Sequence, residues 1–577
     1  MSYHPWDLFH LKRNVMNKKY LICATLCLTV ALVFALMCVK KDTDMGKGKE
    51  NRTEEGLIIY KRPDFLAVTA LIEKLENDID SVDTEEYIKE YEELNMLLEK
   101  VATESRVLMI ERYNNINSME LLDEYNFFYG EYNALYEKYA HFVGKLMLSD
   151  KYECLTEGWS EKDLEADREI CRIIDEDYAK LNSQMSGLIE AFYRERTDGM
   201  VEVDGQMWNL SELTASDRYT DEEKSEFAKI ALINYYDSIK SIYLQIVKTG
   251  TELAHKCGYE SVEQYKCGNT KLDSEKSLLT INEWVKNELV PLYFDIYKSL
   301  EEPELSNIVT KRFSYEETVS IVRAGLSDIS DGMRISFDNM LAKGDAGIGA
   351  GEGKSTNNFT TYLYSYGFPY MSVYLYEKYI DCGSILHEFG HYYAYEIAGA
   401  DVEQDTASFE AMAQMMNAMY WADRYRNEGA SAEVRLNILS IMQTAILSSV
   451  IDELEQYVYD NQVQDAALID RKYAQLLVEY GLIEQGGDVM GIGNWTECTL
   501  IFDSPFYYRS YLVSSIPTLL MLAESFDGEK DTAVLFEKIL SFGKDTDGII
   551  KILASNEDGL DDILKIIINN VKRALQT

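Results

Sequence analysis

Two histidines and a glutamate lie close enough in the sequence to work on one metal ion. His387 and His391 are four residues apart, so on a helix their imidazoles lie one turn from each other on the same face. Glu388 falls between them, where its carboxylate can act as a general base toward a water molecule. This H-E-x-x-H spacing predicts a zinc site of the hydrolytic kind. The alternative is a pair of surface histidines on an amphipathic helix, although the chain contains only 6 histidines in all.

A helix has to hold this motif. Its predicted N-cap is Ser384, and Gly399 is predicted to stop it. Apolar residues recur between these limits at helical spacing, at Leu386, Phe389, Tyr393 and Ile397. The motif therefore lies on a helix with one apolar face.

A catalytic zinc site needs a third protein ligand and leaves its fourth position open. The next predicted helix opens at residues 405–408, and Glu410 lies in its first turn ahead of an Ala/Met-rich apolar face. A carboxylate beside a buried face is costly unless it is paired or bound to metal, so Glu410 is the predicted third ligand. There are two alternatives. Glu410 could lie at the start of its helix only because the helix dipole favours an acidic residue there, or Glu403 of the connecting loop could be the third ligand.

Composition predicts a large, mainly helical protein. The 577 residues exceed what one hydrophobic core usually supports, so two or more lobes are expected. A formal net charge of −43 excludes general nucleic-acid binding, which requires clustered Lys and Arg. The 9 cysteines show no C-x-x-C spacing, which excludes a cysteine-based zinc site.

The N-terminal part contains an uncharged apolar run at residues 20–39. At about 1.5 Å per residue this run is long enough to cross a hydrocarbon layer of roughly 30 Å. It predicts a single transmembrane anchor between a basic tail at 1–19 and a polar linker at 40–56. Lysine and arginine occur on both sides of the run, so the positive-inside count does not decide its orientation. A short basic tail before a large acidic region favours an extracytoplasmic catalytic region.

The rest of the chain divides into an N-terminal helical region at 57–199 and a catalytic region at 200–577. Alternating residues on either side of Asp204-Gly205 predict a β-hairpin where the second region begins. Residues 359–366 also alternate and predict an edge strand beside the metal helix. Such an edge can bind a peptide by strand addition.

Several segments share a pattern with one known family. They read HEFGH at 387–391, FEAMAQMMN at 409–417, VEVDG at 201–205 followed by LSEL at 210–213, KTGTELAHKCGY at 248–259 and SPFYYRSY at 504–511. Together they resemble the oligoendopeptidase F/thimet oligopeptidase family of zinc metallopeptidases, and oligoendopeptidase F most of all. The resemblance implies a mainly α, two-lobed metallopeptidase with a deep substrate channel and a small β element beside the H-E-x-x-H helix. It also implies one Zn²⁺ per chain and cleavage of internal bonds in short peptides.

The resemblance assigns roles residue by residue. The zinc ligands would be His387, His391 and Glu410, and Glu388 would activate the attacking water. Tyr508 and Tyr511 would stabilise the oxyanion, with Tyr507 as the next candidate.

One departure from the family leaves alternatives open. The family usually carries a histidine shortly before these tyrosines, whereas this chain has no histidine after His391. The scaffold could therefore belong to a catalytically silent peptide-binding protein. A metallopeptidase of another H-E-x-x-H group is the second alternative, and it would be favoured by a third ligand other than Glu410.

Overall fold

The computed structural model describes most of the chain from Ile58 to Leu575. The positions outside the described part are 1–57, 156–175, 199, 204–205, 210–217, 219, 268–270, 273, 301–307, 309–310, 352, 356, 379, 430, 486–494, 528–530, 544, 554–558 and 576–577. The predicted tail, membrane anchor and linker, and the turn of the predicted hairpin, lie outside the described residues.

The protein is mainly α-helical, as the sequence predicts, with 78% helix. Its helices are α1 Phe65–Asp78, α2 Thr84–Asn114, α3 Met119–Leu146, α4 Asp150–Leu155, α5 Glu176–Asp198, α6 Asp221–Lys256, α7 Val262–Lys266, α8 Glu275–Trp284, α9 Val290–Lys298, α10 Tyr315–Ile329, α11 Asp331–Lys343, α12 Ile380–Ala398, α13 Thr406–Glu428, α14 Ala432–Asp460, α15 Ala466–Glu479, α16 Leu500–Asp503, α17 Tyr507–Asp527, α18 Thr532–Phe542, α19 Thr546–Leu553 and α20 Leu560–Leu575. The strands are β1 Met200–Val203, β2 Gln206–Asn209, β3 Ala346–Gly349, β4 Phe359–Leu363 and β5 Phe368–Tyr374.

The chain forms two compact units, each assembled from separate stretches of sequence. One takes in the described parts of 165–267 and 450–508, where α5 packs along α6 and β1 pairs with β2. This pairing is antiparallel and aligns Met200 with Asn209, which confirms the predicted hairpin strands. The other unit takes in the described parts of 37–164, 268–449 and 509–577, and it holds the H-E-x-x-H motif. The predicted division of the sequence at residue 200 stays a prediction.

A three-stranded sheet lies against the motif helix in this second unit. The strand order is β3-β5-β4, with β3 parallel and β4 antiparallel to β5. Both β5 and β4 contact α12. The sequence prediction of a small β element beside the H-E-x-x-H helix is therefore confirmed. The edge strand predicted over 359–366 forms at Phe359–Leu363, but the prediction is wrong for Tyr364–Tyr366, which form a 3₁₀ turn.

The motif helix α12 begins earlier than the sequence suggested. The helix begins at Ile380, so the prediction that Ser384 is its N-cap is wrong. Asp381 lies in the first turn, and its carboxylate accepts hydrogen bonds from the backbone N–H groups of Tyr376 and Lys378 at 3.1 and 2.9 Å. These bonds join the start of the helix to the preceding loop. The predicted stop is confirmed, because α12 ends at Ala398 and Gly399 takes up a positive φ of 79°.

The helices α12 and α13 approach each other closely at Gly390, the residue before His391. A Cβ atom on Gly390 would lie 2.6 Å from Cα and 3.0 Å from the carbonyl oxygen of Ala413 on α13. Only glycine leaves room for backbones at this separation. Asp405 caps the start of α13 by accepting a bond from the Ser408 N–H at 2.7 Å, and the helix begins at Thr406, within the opening predicted at 405–408. The two helices thus pack closely at Gly390, and the start of α13 is capped by its own Asp405.

One helix in the described part of the chain, α14, is long and apolar enough to cross a membrane by length and composition. The most apolar stretch of this helix is 72% buried within the protein. Helices in the cores of proteins can be equally long and apolar.

Replacing Gly390 by alanine tests the close approach. The added methyl group collides with backbone atoms of α13, so we expect Gly390→Ala to lower the free energy of unfolding by about 1–3 kcal/mol. Chemical denaturation measures this change. Gly383→Ala is the matched control on the same helix, because its Cβ would lie 3.5 Å from the nearest atom, in Asn437. Equal stability of the two variants would contradict the close packing.

Candidate metal centre

Three ligand atoms converge between α12 and α13. The side chains of His387, His391 and Glu410 each offer one atom, and these atoms lie within 4.8 Å of one another. Oε2 of Glu410 lies 3.5 Å from Nε2 of His387 and 3.8 Å from Nε2 of His391. Ligands about 2.0–2.2 Å from a tetrahedral zinc ion lie roughly 3.3 Å from one another. The three side chains therefore have the composition and spacing of a site that can hold a metal ion.

The surroundings of both imidazoles favour the neutral form that binds metal. Although 27% of the His387 side chain is exposed, burial of its ring lowers its pKa to about 4. Burial and the neighbouring His387 ring lower the pKa of His391 well below its ordinary value. The two rings are perpendicular, with centroids 5.0 Å apart, and Phe409 lies against His391 with its centroid at 4.1 Å. Both ligands are thus uncharged near neutral pH.

Glu388 points from α12 toward the edge strand. This residue is buried, and Thr360 Oγ1 donates a hydrogen bond to its Oε2 at 2.8 Å. Burial, together with the nearby charge of Glu410, raises the pKa of Glu388 to about 8, while the bond from Thr360 lowers it. The positive charge of a bound metal would oppose this rise. A carboxyl group with a pKa near neutrality is suited to accept and return a proton.

Glu403, the other candidate third ligand, is engaged elsewhere. It lies in the 3₁₀ turn Ala400–Gln404 that connects α12 to α13. Its carboxylate accepts hydrogen bonds from the hydroxyl groups of Tyr364 and Tyr395 and lies 3.3 Å from Nη2 of Arg106. The candidate metal-binding group in the described residues contains Glu410 and not Glu403.

Arg106 attaches this connecting turn to the N-terminal helix α2. Its guanidinium is buried, donates to the carbonyl oxygen of Tyr362 at 2.7 Å and lies over the ring of Tyr364 at 4.4 Å. Burial lowers the pKa of Arg106, but the combined effect of Glu403, Tyr364 and Tyr395 is larger and keeps this pKa above its ordinary value. A buried cation with a carboxylate and a carbonyl partner holds α2, β4 and the turn together.

Comparison with solved structures identifies the architecture. Three of the most similar structures are a candidate oligoendopeptidase F at 3.1 Å, a PZ peptidase A solved with an inhibitor, and a candidate oligoendopeptidase F from Bacillus anthracis. The TM-scores are 0.67, 0.65 and 0.65, with 16%, 16% and 15% identity. The alignments cover 90%, 89% and 91% of this chain, and 98% of each of the three structures. The chain has the oligoendopeptidase F fold.

The oligoendopeptidase F fold agrees with the architecture that the sequence resemblance implied. No protein-family model and no curated protein sequence matches the chain, so its likeness to known proteins rests on the structures. At these identities the likeness extends to the fold, and the chemistry has to be argued from this chain's own residues.

Two tyrosines in the predicted site lie on α17 of this oligoendopeptidase F fold. Tyr508 and Tyr511 are in the first turns of the helix, three residues apart. Thr518, seven residues after Tyr511, lies 3.4 Å from Gln414 on α13. The helix of Tyr511 therefore contacts the helix that carries Glu410. The role of both tyrosines at the oxyanion stays a prediction.

Two polar residues of the site were not predicted from the sequence. Thr360 lies within the predicted edge strand, and the alternation of that strand places it on the same face as Tyr362. That alternation was the available signal for Thr360. Arg106 is 297 residues from its partner Glu403, and no spacing in the sequence connects the two.

Two matched substitutions separate the roles of the two candidate ligands. Glu410→Gln removes a negatively charged ligand, so we expect the purified protein to lose most of its bound metal. Glu403→Gln breaks the partnership with Arg106, so we expect full metal content and a free energy of unfolding lowered by roughly 1–3 kcal/mol. Metal analysis and denaturation of both variants measure these effects. Metal loss in Glu403→Gln alone would reverse the assignment.

Proposed function

We propose that the protein is a zinc-dependent endopeptidase that hydrolyses short peptides. The convergence of His387, His391 and Glu410, with Glu388 beside them, is the observation that carries this proposal. Two imidazoles and one carboxylate are the ligand set of zinc hydrolases that keep an open coordination position. The oligoendopeptidase F fold of the chain supports peptides as the substrate class.

The residues of the site divide the reaction between them. Zinc held by the three ligands would supply a Lewis acid for the scissile carbonyl and make a water molecule more acidic. Glu388 takes a proton from the attacking water as the new C–O bond forms, and it passes this proton to the leaving amine when the C–N bond breaks in the following step. Glu388 is buried, so neighbouring charges act on it with less screening than they would in water.

The edge strand β4 supplies a binding surface for the peptide backbone. It lies at one edge of its sheet, and Thr360 on this strand contacts the carboxylate of Glu388. A substrate segment added as a further strand would lie beside the catalytic base. The net charge of −43 favours neutral or cationic peptides over acidic ones.

Tyr508 and Tyr511 are our candidates for the oxyanion donors in this mechanism. A phenol hydroxyl aimed at the developing negative charge would lower the barrier. Phenylalanine at each position in turn would lower kcat if that hydroxyl is the donor, and an unchanged kcat would remove that tyrosine from the mechanism.

A catalytically silent peptide-binding protein is the second candidate. The observation in its favour is the lack of any histidine after His391. It predicts peptide binding without cleavage in the wild-type protein. A metallopeptidase of another H-E-x-x-H group is less well supported, because Arg106 and two tyrosines already engage Glu403.

Glu388→Gln tests the hydrolytic mechanism. The amide cannot accept the proton, so we expect hydrolysis of a panel of quenched peptides to fall to background while about one zinc per chain is retained. Glu396→Gln makes the same change on the same helix, where the carboxylate bonds to Ser336 away from the metal ligands, and should keep its activity. Full activity in Glu388→Gln would exclude the proposed base. A wild-type protein that binds zinc and peptide but cleaves nothing would support the silent alternative.

We also propose that residues 20–39 anchor the protein in a membrane with the catalytic region outside the cytoplasm. The uncharged apolar run is the observation behind this proposal. The full chain should remain with membranes after a carbonate wash, and a chain lacking residues 1–56 should be released. Protease added to intact cells should degrade the catalytic region. Recovery of the full chain in the soluble fraction would contradict the anchor, and protection from protease would reverse the orientation.

A further inference from the structure

The hydroxyl group of Thr360 makes two contacts with a single residue of the site. Its Oγ1 lies 2.8 Å from Oε2 of Glu388 and 2.9 Å from the backbone carbonyl oxygen of the same glutamate. Among the described residues, Thr360 is the hydrogen-bond partner of the Glu388 carboxylate. The hydroxyl group of this edge-strand residue therefore lies within hydrogen-bonding distance of both the main chain and the carboxylate of the proposed base.

The sheet determines where this hydroxyl points. Thr360 pairs with Met371 of β5, and side chains alternate between the two faces along β4. Tyr362, two residues on, faces α12, because its ring centroid lies 5.4 Å from that of Tyr395. Leu363 packs in a cluster with Val107 of α2, on the opposite face. Thr360 thus faces α12 by its place in the strand, and Thr361 between these residues faces α2.

A carboxylate held at one oxygen has little freedom left at the other. Glutamate has three rotatable side-chain bonds, and an unrestrained carboxylate would sample several directions. Threonine is stiff at χ1 and has one hydroxyl proton to donate. When that proton bonds to Oε2, the plane of the carboxylate is set and Oε1 of Glu388 remains for the attacking water.

We propose that Thr360 is a positioning residue that holds the carboxylate of Glu388 in the direction needed for proton transfer. The inference rests on the proposed peptidase function, in which Glu388 is the base. Since Thr360 belongs to the strand that would bind the peptide backbone, substrate and base are located by the same element. Loss of the hydroxyl should therefore affect the reaction step more than substrate binding.

Three variants test this role. Thr360→Val keeps the shape and β-branching but removes the hydroxyl, and we expect kcat to fall roughly 10- to 100-fold with little change in KM. Thr360→Ser restores the hydroxyl and should recover most of the lost kcat. Thr361→Val makes the same chemical change at the neighbouring buried position on the other face of the strand, and it should retain wild-type kcat. Zinc content and melting temperature should be similar in all three.

The crystal structure of the Thr360→Val protein provides a readout independent of activity. We expect the Glu388 carboxylate to leave its wild-type position or to occupy several positions, with the histidine ligands unchanged. A carboxylate in its wild-type position would overturn the inference. An unchanged kcat in Thr360→Val, no recovery in Thr360→Ser, or an equal loss in Thr361→Val would overturn it as well.

The same data distinguish this inference from the proposed function. A wild-type protein that cleaves no peptide defeats the proposed peptidase. If Glu388 is nevertheless displaced in crystals of Thr360→Val, the structural role of Thr360 in holding this carboxylate is still supported, although the peptidase proposal fails. If the wild type is active and Glu388 stays in place, the positioning role fails and the peptidase proposal stands.

Discussion

The candidate metal centre depends on one close approach between two helices. At Gly390 the backbone of α12 comes so near to Ala413 of α13 that a single methyl group would not fit. Gly390 immediately precedes His391, and Ala413 lies three residues after Glu410. The two backbones therefore approach closely at the level where the ligands must meet. A wider spacing would move the carboxylate of Glu410 away from the two imidazoles, whatever their positions along α12.

Two further contacts attach parts of the site to neighbouring elements of the fold. The edge strand holds Glu388 through Thr360, so the base is tied to the sheet as well as to its own helix. The turn between the ligand helices is tied to α2 through Glu403 and Arg106. Each contact joins a charged side chain of the site to an element that carries no metal ligand. The surrounding elements thus hold the Glu388 carboxylate and the turn between the two helices in place, while α12 and α13 supply the metal ligands themselves.

The sequence predicted those features that depend on local periodicity. The spacing of His387 and His391 needs only a helix, and the position of Glu410 follows from the start of the next helix. The alternation of residues 359–366 likewise predicts a strand, and the first five of these residues form one. The predicted start of α12 at Ser384 was wrong. The helix begins earlier, where Asp381 bonds to the preceding loop, and residue types alone do not reveal such a contact. Thr360 and Arg106 were missed because their partners are 28 and 297 residues away, where pairing depends on the finished packing.

The attachment of α2 to the site also has a consequence for synthesis of the chain. Thr103 on α2 accepts a hydrogen bond from the backbone N–H of Ser365, 262 residues later, and Val107 packs with Tyr370. At about 5–20 residues per second, a ribosome needs roughly 13–52 s to make that intervening stretch. The face of α2 that contacts the sheet is without its partners during this time. Residues 360–410 are made later, and they complete the sheet, the connecting turn and the set of metal ligands together. A nascent chain that stops before residue 360 therefore has none of these three features.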